Sequence, residues 1–210
     1  MLKTLTAAAL LSAAIAAPAF AREKADLGGF YVGGELGYGK AKHDLDFTPK
    51  TGTVSSGKAS KSGFAYQAFA GYGAVVGGSL YLGGEAMLGG GGGKAVRLFG
   101  AQKAAIDPGL RYGLAARAGL ALSDSGLLYG KVGVERRRLE VSELGAKRNL
   151  TQQGLLFGAG YEQRISANMG LRAEITRVNY GDKTVSFSSG DKIKLDSTET
   201  RATVGAVVHF

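Results

Sequence analysis

Few residues in this chain have the chemistry for catalysis. Its 210 residues contain two histidines, His43 and His209, and no cysteine or tryptophan. Lack of cysteine removes thiol nucleophiles, disulfides and thiolate zinc sites together. A Ser-His-acid triad or a histidine metal centre would have to recruit His43 or His209, which the pattern below places at opposite ends of the molecule. Asp182, Asp191 and Asp196 share one polar stretch, but without the spacing of a calcium loop. The run Gly89 to Gly93 lacks the Lys-Ser/Thr pair of a phosphate-binding loop. No catalytic residue, cofactor or metal is therefore expected. What stands out instead is a set of ionic residues of regular parity: Glu35, Glu85, Glu135, Glu162 and Glu174 against Arg111, Arg117, Lys131, Arg172 and Arg201.

The elements that position them recur with a period of two. Apolar residues alternate with small or polar ones over segments of about ten residues, the signature of half-buried or transmembrane strands. One face of the first segment carries Phe30, Val32, Leu36 and Tyr38, and the other carries Gly33, Glu35, Gly37 and Gly39. Similar segments begin near Phe64, Leu80, Leu110, Leu128, Leu155, Leu171 and Ala202, eight in all. The fourth is the cleanest, with Leu110, Tyr112, Leu114, Ala116, Ala118, Leu120 and Leu122 opposing Arg111, Gly113, Arg117 and Gly119. Every charge in it lies on the face away from the apolar stripe. A water-soluble barrel does the reverse, apolar inside and polar outside. The apolar stripe is thus expected to meet lipid, and a sheet in lipid must close on itself to satisfy its backbone. The expected fold is an all-β, eight-stranded antiparallel up-and-down transmembrane β-barrel. Its ten ionic residues would face a narrow lumen. Such a set could form an ion path or a polar plug, and the plug is expected, because eight strands leave a lumen that side chains fill. The 35 glycines fit that narrow interior, with Gly89 to Gly93 alone read as a flexible link.

Residues 1–21 read as a secretory leader. Lys3 is the basic start, Leu5 to Ala17 the apolar stretch, and Ala19-Phe20-Ala21 the small-x-small cleavage pattern. The expected organisation is a signal peptide over 1–21 and one outer-membrane β-barrel domain over 22–210. Links between segments alternate between short (75–79, 123–126, 165–170) and long (41–62, 89–109, 137–150, 181–198). Outer-membrane barrels keep short turns in the periplasm and long loops outside, so both termini would be periplasmic. Residues 40–62, 89–109, 136–150 and 181–197 hold 16 Lys/Arg and 8 Asp/Glu, whereas the rest of residues 22–210 holds 9 of each. The excess positive charge is thus expected outside, where lipopolysaccharide phosphates are the partner, through Lys58, Lys61, Lys94, Arg97, Arg136, Arg137, Arg138, Lys147 and Arg148. Nucleic acid is not an expected partner of an exported chain.

Phe30-Tyr31-Val32-Gly33-Gly34 through Gly37-Tyr38-Gly39, Gly158-Ala159-Gly160-Tyr161-Glu162 and Leu171-Arg172-Ala173-Glu174 resemble the small outer-membrane β-barrel family, the opacity-like, porin-family domain of alpha-proteobacterial envelopes. The end of the chain resembles the family's insertion signal, read at Thr203, Gly205, Val208 and Phe210, which implies the barrel-assembly machinery as a partner. Val208 departs from the aromatic usual there. With no tryptophan for the interfacial girdles, Tyr31, Tyr38, Tyr66, Tyr72, Tyr112, Tyr161 and Tyr180 are expected to substitute. The resemblance implies a non-enzymatic protein integral to the bacterial outer membrane, serving envelope integrity and contact with a host or environmental surface. A small porin-like channel is the alternative, and a lipid A-modifying enzyme is disfavoured by the positions of the histidines.

Overall fold

The computed structural model describes residues 27–48, 55–91, 95–99, 102–143, 146–186 and 192–210. The leader expected over 1–21 lies outside the described residues. The strands are β1 (Gly29–Thr48), β2 (Ser55–Val76), β3 (Leu80–Gly91), β4 (Ala95–Phe99), β5 (Gln102–Ser123), β6 (Gly126–Glu143), β7 (Ala146–Arg164), β8 (Met169–Ser186) and β9 (Lys192–His209). Neighbours pair antiparallel, and the sheet closes where β1 meets β9 and β3 meets β5. The barrel is therefore eight-stranded, β4 being an arm that pairs only with the outer part of β5, from Ala95↔Ile106 to Phe99↔Gln102.

Strand tilt follows from the register. Passing from partner to partner along Lys40, Thr200, Arg177, Phe157, Val132, Ala116, Gly84, Tyr72 and Phe30 returns to β1 ten residues below the start. A shear of that size in eight strands corresponds to a tilt of about 40°. Along each barrel strand, burial alternates as the sequence parity requires. Leu114 is 63% exposed and Leu36 56%, while Arg117 between the outer residues of β5 is 2% exposed.

At one end, short turns join β2 to β3 (Gly77 and Gly78, both with positive φ), β5 to β6 at Asp124-Ser125, and β7 to β8 over Ile165–Asn168. Leu27 tucks in at this end and packs with Tyr81, Leu127 and Tyr129 as a small apolar stopper. The last strand is zipped to the first, with the Phe210 amide donating to the Phe30 carbonyl at 2.9 Å.

The opposite end differs from expectation. Most of the four long links are strand: β1 and β2 stay paired out to Phe47↔Ser55, β6 and β7 to Glu143↔Ala146, and β8 and β9 to Ser186↔Lys192. A 20-residue strand measures about 66 Å, far more than a hydrocarbon core of about 30 Å needs even when tilted. The ladders thus continue as ribbons beyond the apolar band. Alternation continues in them with its phase reversed, since Leu45 and Phe47, Leu139 and Val141, and Ile193 and Leu195 share the parity of the lumen face, and Asp46, Glu140 and Lys194 that of the outer wall. The Gly89–Gly93 run is also no flexible link in its described part: Gly89 to Gly91 end β3, and a Cβ on Gly89 would lie 2.5 Å from the Tyr66 carbonyl. Pro108 and Gly109, expected in a link, sit within β5 at a bulge between Pro108 and Arg111, where a residue without an N–H is tolerated.

Candidate functional site: the ionic interior

All ten ionic residues of inward parity are buried, from 1% exposure at Glu35 to 5% at Lys131. They fall into two tiers. In the tier nearer the short turns, Glu85 is the hub, with Arg172 at 2.7 Å, Arg117 at 3.4 Å and Lys131 at 3.4 Å. Arg172 also reaches Glu162 at 3.0 Å, and Lys131 reaches Glu174 at 2.6 Å. Hydroxyl groups complete the carboxylate shells: Tyr31 donates to Glu85, Tyr129 and Thr176 to Glu174, and Thr203 to Glu35. His209 contacts Glu162 through Nε2 at 2.7 Å.

In the tier nearer the ribbons, Arg201 holds Glu135 at 2.6 Å, and Tyr180 donates to the same carboxylate. Glu199 receives Arg111 and Arg137, each at 3.4 Å, and Arg201 at 3.3 Å. Burial of ions at this density is tolerable only because each charge meets an opposite charge and further hydrogen-bond partners.

Aromatic rings fill the gaps between ions. Arg117 lies 3.8 Å from the centroid of Tyr129, Arg172 3.9 Å from Phe69, and Arg137 3.7 Å from Tyr180. These rings need flat floors, and inward glycines supply them. A Cβ on Gly71 would meet the Tyr31 hydroxyl at 2.3 Å, and one on Gly160 the Tyr129 hydroxyl at 2.4 Å. Met87 fills the lumen beside Lys131, with its sulfur 3.3 Å from Nζ.

Several interior residues escaped the sequence reading. Arg137 was grouped with the surface cations, but it is 4% exposed and points inward, held by Gln152 and Glu199. Parity could have shown this, since Arg137 shares a face with Glu135 on a strand that continues past the apolar band. The same extension finds Glu199 two residues from Arg201. Tyr31 and Tyr180, expected in the girdle, are 1% and 2% exposed and face the lumen. Tyr38, Tyr66, Tyr72 and Tyr112 do face outward, and Tyr161 is half-buried.

Of the other surface cations, Arg136 and Arg138 are exposed on the outer wall and Lys61 is half-buried. Lys94 lies outside the described residues, as do the side chains of Lys58, Arg97, Lys147 and Arg148. At the end of the chain, Thr203 is buried, Gly205 and Val208 are half-buried, and Phe210 is 76% exposed on the outer wall.

His43 stands twelve residues along β1 from Tyr31, the register partner of His209, or roughly 40 Å. Among the described residues, no group of three or more His, Cys, Asp or Glu side chains could hold a metal ion.

A closed antiparallel barrel with an apolar outer wall and a paired ionic interior is a transmembrane barrel. The chain belongs to the family described as the outer membrane protein beta-barrel domain, whose model matches residues 7–210; it is an integral bacterial outer-membrane β-barrel. Among solved structures it is similar in fold to the outer membrane protein OprG of Pseudomonas aeruginosa (TM-score 0.55, 11% identity, 89% of this chain and 98% of that one). It is also similar to Neisserial surface protein A (TM-score 0.51, 16% identity, 87% of this chain and 97% of that one). No curated protein matches the sequence.

Proposed function

We propose that this is a non-enzymatic structural and surface protein of the outer membrane, with a lumen sealed by its own side chains. Short turns face the periplasm and ribbons face the exterior. It contributes to envelope integrity and presents basic ribbons to lipopolysaccharide and to a host or environmental surface. The observation that carries this reading is the ionic interior: the side chains of Glu85, Lys131 and Arg172 have no solvent exposure, and those of Arg117 and Glu162 have 1%. A path for solutes would need water or exchangeable contacts at that level, and each of these groups is already held by partners in the wall or lumen. The test is a planar-bilayer recording on the purified, refolded protein, whose folded state is first verified by different gel migration of heated and unheated samples. No steady conductance steps are expected. Discrete steps of nanosiemens size would instead assign a small porin-like channel.

The separation of His43 from His209, and the engagement of His209 by Glu162, favour a protein without lipid-modifying activity. Overexpression is expected to leave the lipid A species unchanged by mass spectrometry, and a new deacylated species would contradict this. Phe210 at the exposed end of β9 is in place to be read by the barrel-assembly machinery during insertion. Its deletion is expected to lower the outer-membrane level at least severalfold by immunoblot of the membrane fraction, and unchanged levels would remove the insertion-signal assignment.

A further inference from the structure

We propose that the mouth between the ribbons binds a long-chain carboxylate of the fatty-acid type. Its headgroup is held by Arg111 and Lys61, and its chain lies along the inner faces of the ribbons. The site goes beyond the function proposed above and takes from it only a closed floor.

The headgroup end is a surplus of cations. The guanidinium groups of Arg111, Arg137 and Arg201 converge on the single carboxylate of Glu199 at 3.3 to 3.4 Å. Glu135 is the second acid of this tier, and Arg201 holds it. Three cations thus face two acids. Arg111 has the fewest partners of the three: it shares Glu199, reaches the Tyr66 carbonyl at 3.1 Å, and its buried Nε has no hydrogen-bond partner. Lys61 adds to the surplus. It has lumen parity, is half-buried, and shares the row of Glu199 through Ala41; two strand spacings separate them, about 9.5 Å. Lys61 has no carboxylate partner among the described residues.

The tier near the short turns has no such surplus. Glu35, Glu85, Glu162 and Glu174 are matched there by Arg117, Lys131, Arg172 and Arg164, all buried. Positive charge is therefore left over only at the end that opens between the ribbons, where an arriving anion gains charge-assisted hydrogen bonds.

Beyond this floor the rows of lumen parity are apolar. The row Arg111–Arg137–Gln152 is followed outward by Pro108–Leu139–Leu150, and that by Ile106–Val141. Across the mouth, Phe47, Ile193 and Val185 form one row, and Leu45 pairs with Leu195 in the row beneath. Acids are sorted in the same way. Among the described residues beyond Glu199, Asp44, Asp46, Asp107, Glu140, Asp182 and Asp196 have outer-wall parity, and Glu143 alone has lumen parity. Lys183, Arg148 and Arg97 share the lumen parity.

An apolar inner face within a polar outer face is the arrangement of an eight-stranded barrel that holds one small ligand in water. From Glu199 to Ile193 the ribbon climbs six residues, roughly 15 Å at a tilt near 40°. That depth suits an alkyl chain rather than a compact anion, and each methylene withdrawn from water adds to affinity. A charge without a tail leaves the apolar rows unfilled, and a tail without a charge leaves the cation surplus unmet. A fatty acid satisfies both.

The test is native mass spectrometry on the full chain refolded in uncharged detergent micelles, its fold verified by heat-dependent gel migration, with laurate, dodecanol or acetate added. Laurate is expected to bind once per barrel and at least tenfold more tightly than dodecanol, and millimolar acetate should not displace it. Arg111→Gln is expected to lose at least tenfold in laurate affinity and Lys61→Gln about threefold, with dodecanol binding unchanged in both. Leu139→Glu, at a ribbon position beyond the apolar band, is expected to lose at least tenfold, and it serves with Lys61→Gln if Arg111→Gln fails to refold. Equal affinity for laurate and dodecanol, displacement by acetate, or wild-type laurate affinity in folded Lys61→Gln or Leu139→Glu would each overturn the proposal. Bilayer recordings on the same samples keep the two readings apart: conductance steps with laurate still bound would remove the closed floor alone, and silence without laurate binding would remove the ligand site alone.

Discussion

Arg172→Ala is expected to destabilise the folded barrel by about 3–5 kcal/mol, the cost typical of stripping one partner from a buried ion pair. Arg172 is among the most connected ions in the lumen. It holds Glu85 at 2.7 Å and Glu162 at 3.0 Å, lies 3.8 Å from Glu35, and stacks on Phe69. Without it, Glu85 keeps Arg117 and Lys131, each at 3.4 Å, and Glu162 keeps His209 and Arg117, whereas Glu35 has no other cation within ion-pair distance among the described contacts. Water entry into the vacated volume would soften the loss, and the fully closed wall limits that entry. Arg172→Lys should fall in between, because an ammonium group cannot span two carboxylates as a planar fork does. Arg136→Ala, which removes an exposed cation bonded only to Gln153, should cost less than about 1 kcal/mol. The measurement is a urea titration of refolded protein in vesicles, followed by gel mobility or circular dichroism, since there is no tryptophan to report. Equal midpoints for Arg172→Ala and Arg136→Ala would show that the lumen ions are water-screened.

Which parts were legible in the sequence follows from where parity carries energy. Within the bilayer a one-residue slip would move Leu114 inside and Arg117 into lipid, so register is strongly specified and β5 could be read residue by residue. The ten interior ions were legible for the same reason. Tyr31 was misplaced although its neighbours Phe30 and Val32 had the right face: its type suggested a girdle, while its odd position placed it beneath Arg117, whose guanidinium lies 5.1 Å from the ring centroid. Tyr180 was misplaced alike. Arg137 and Glu199 were missed because the apolar stripe that reveals parity stops three residues short of them, at Val134 and Ala202. Beyond that level the outer wall loses its apolar stripe, and the alternation that remains, as in Leu45 and Phe47 or Ile193 and Leu195, is reversed in phase, so it does not read as a continuation of the same strands.

Placing a charge on the outer wall should cost much more within the apolar band than at its rim. Leu114 is 63% exposed and sits between Ala86 and Val134 on the neighbouring strands, near the middle of the apolar band. On a protein in water, exchanging such an exposed leucine for arginine costs almost nothing, because surface substitutions fall within about 0.5 kcal/mol. In a bilayer an arginine at the midplane of a barrel wall costs about 2–4 kcal/mol, falling toward zero at the interfaces. Leu114→Arg is therefore expected to lose about 2–4 kcal/mol by the same urea titration in vesicles. Gln153→Arg, on the same outer face at the ribbon boundary beside Arg136, should change stability by less than about 1 kcal/mol. The contrast isolates depth from residue type, since the substituted group is identical and both sites project from the wall. It also separates the two sides of that wall. Should Leu114→Arg prove neutral while Arg117→Leu also leaves the midpoint unmoved, neither face would be sensing hydrocarbon or buried charge, and the inside-out barrel would be the wrong description.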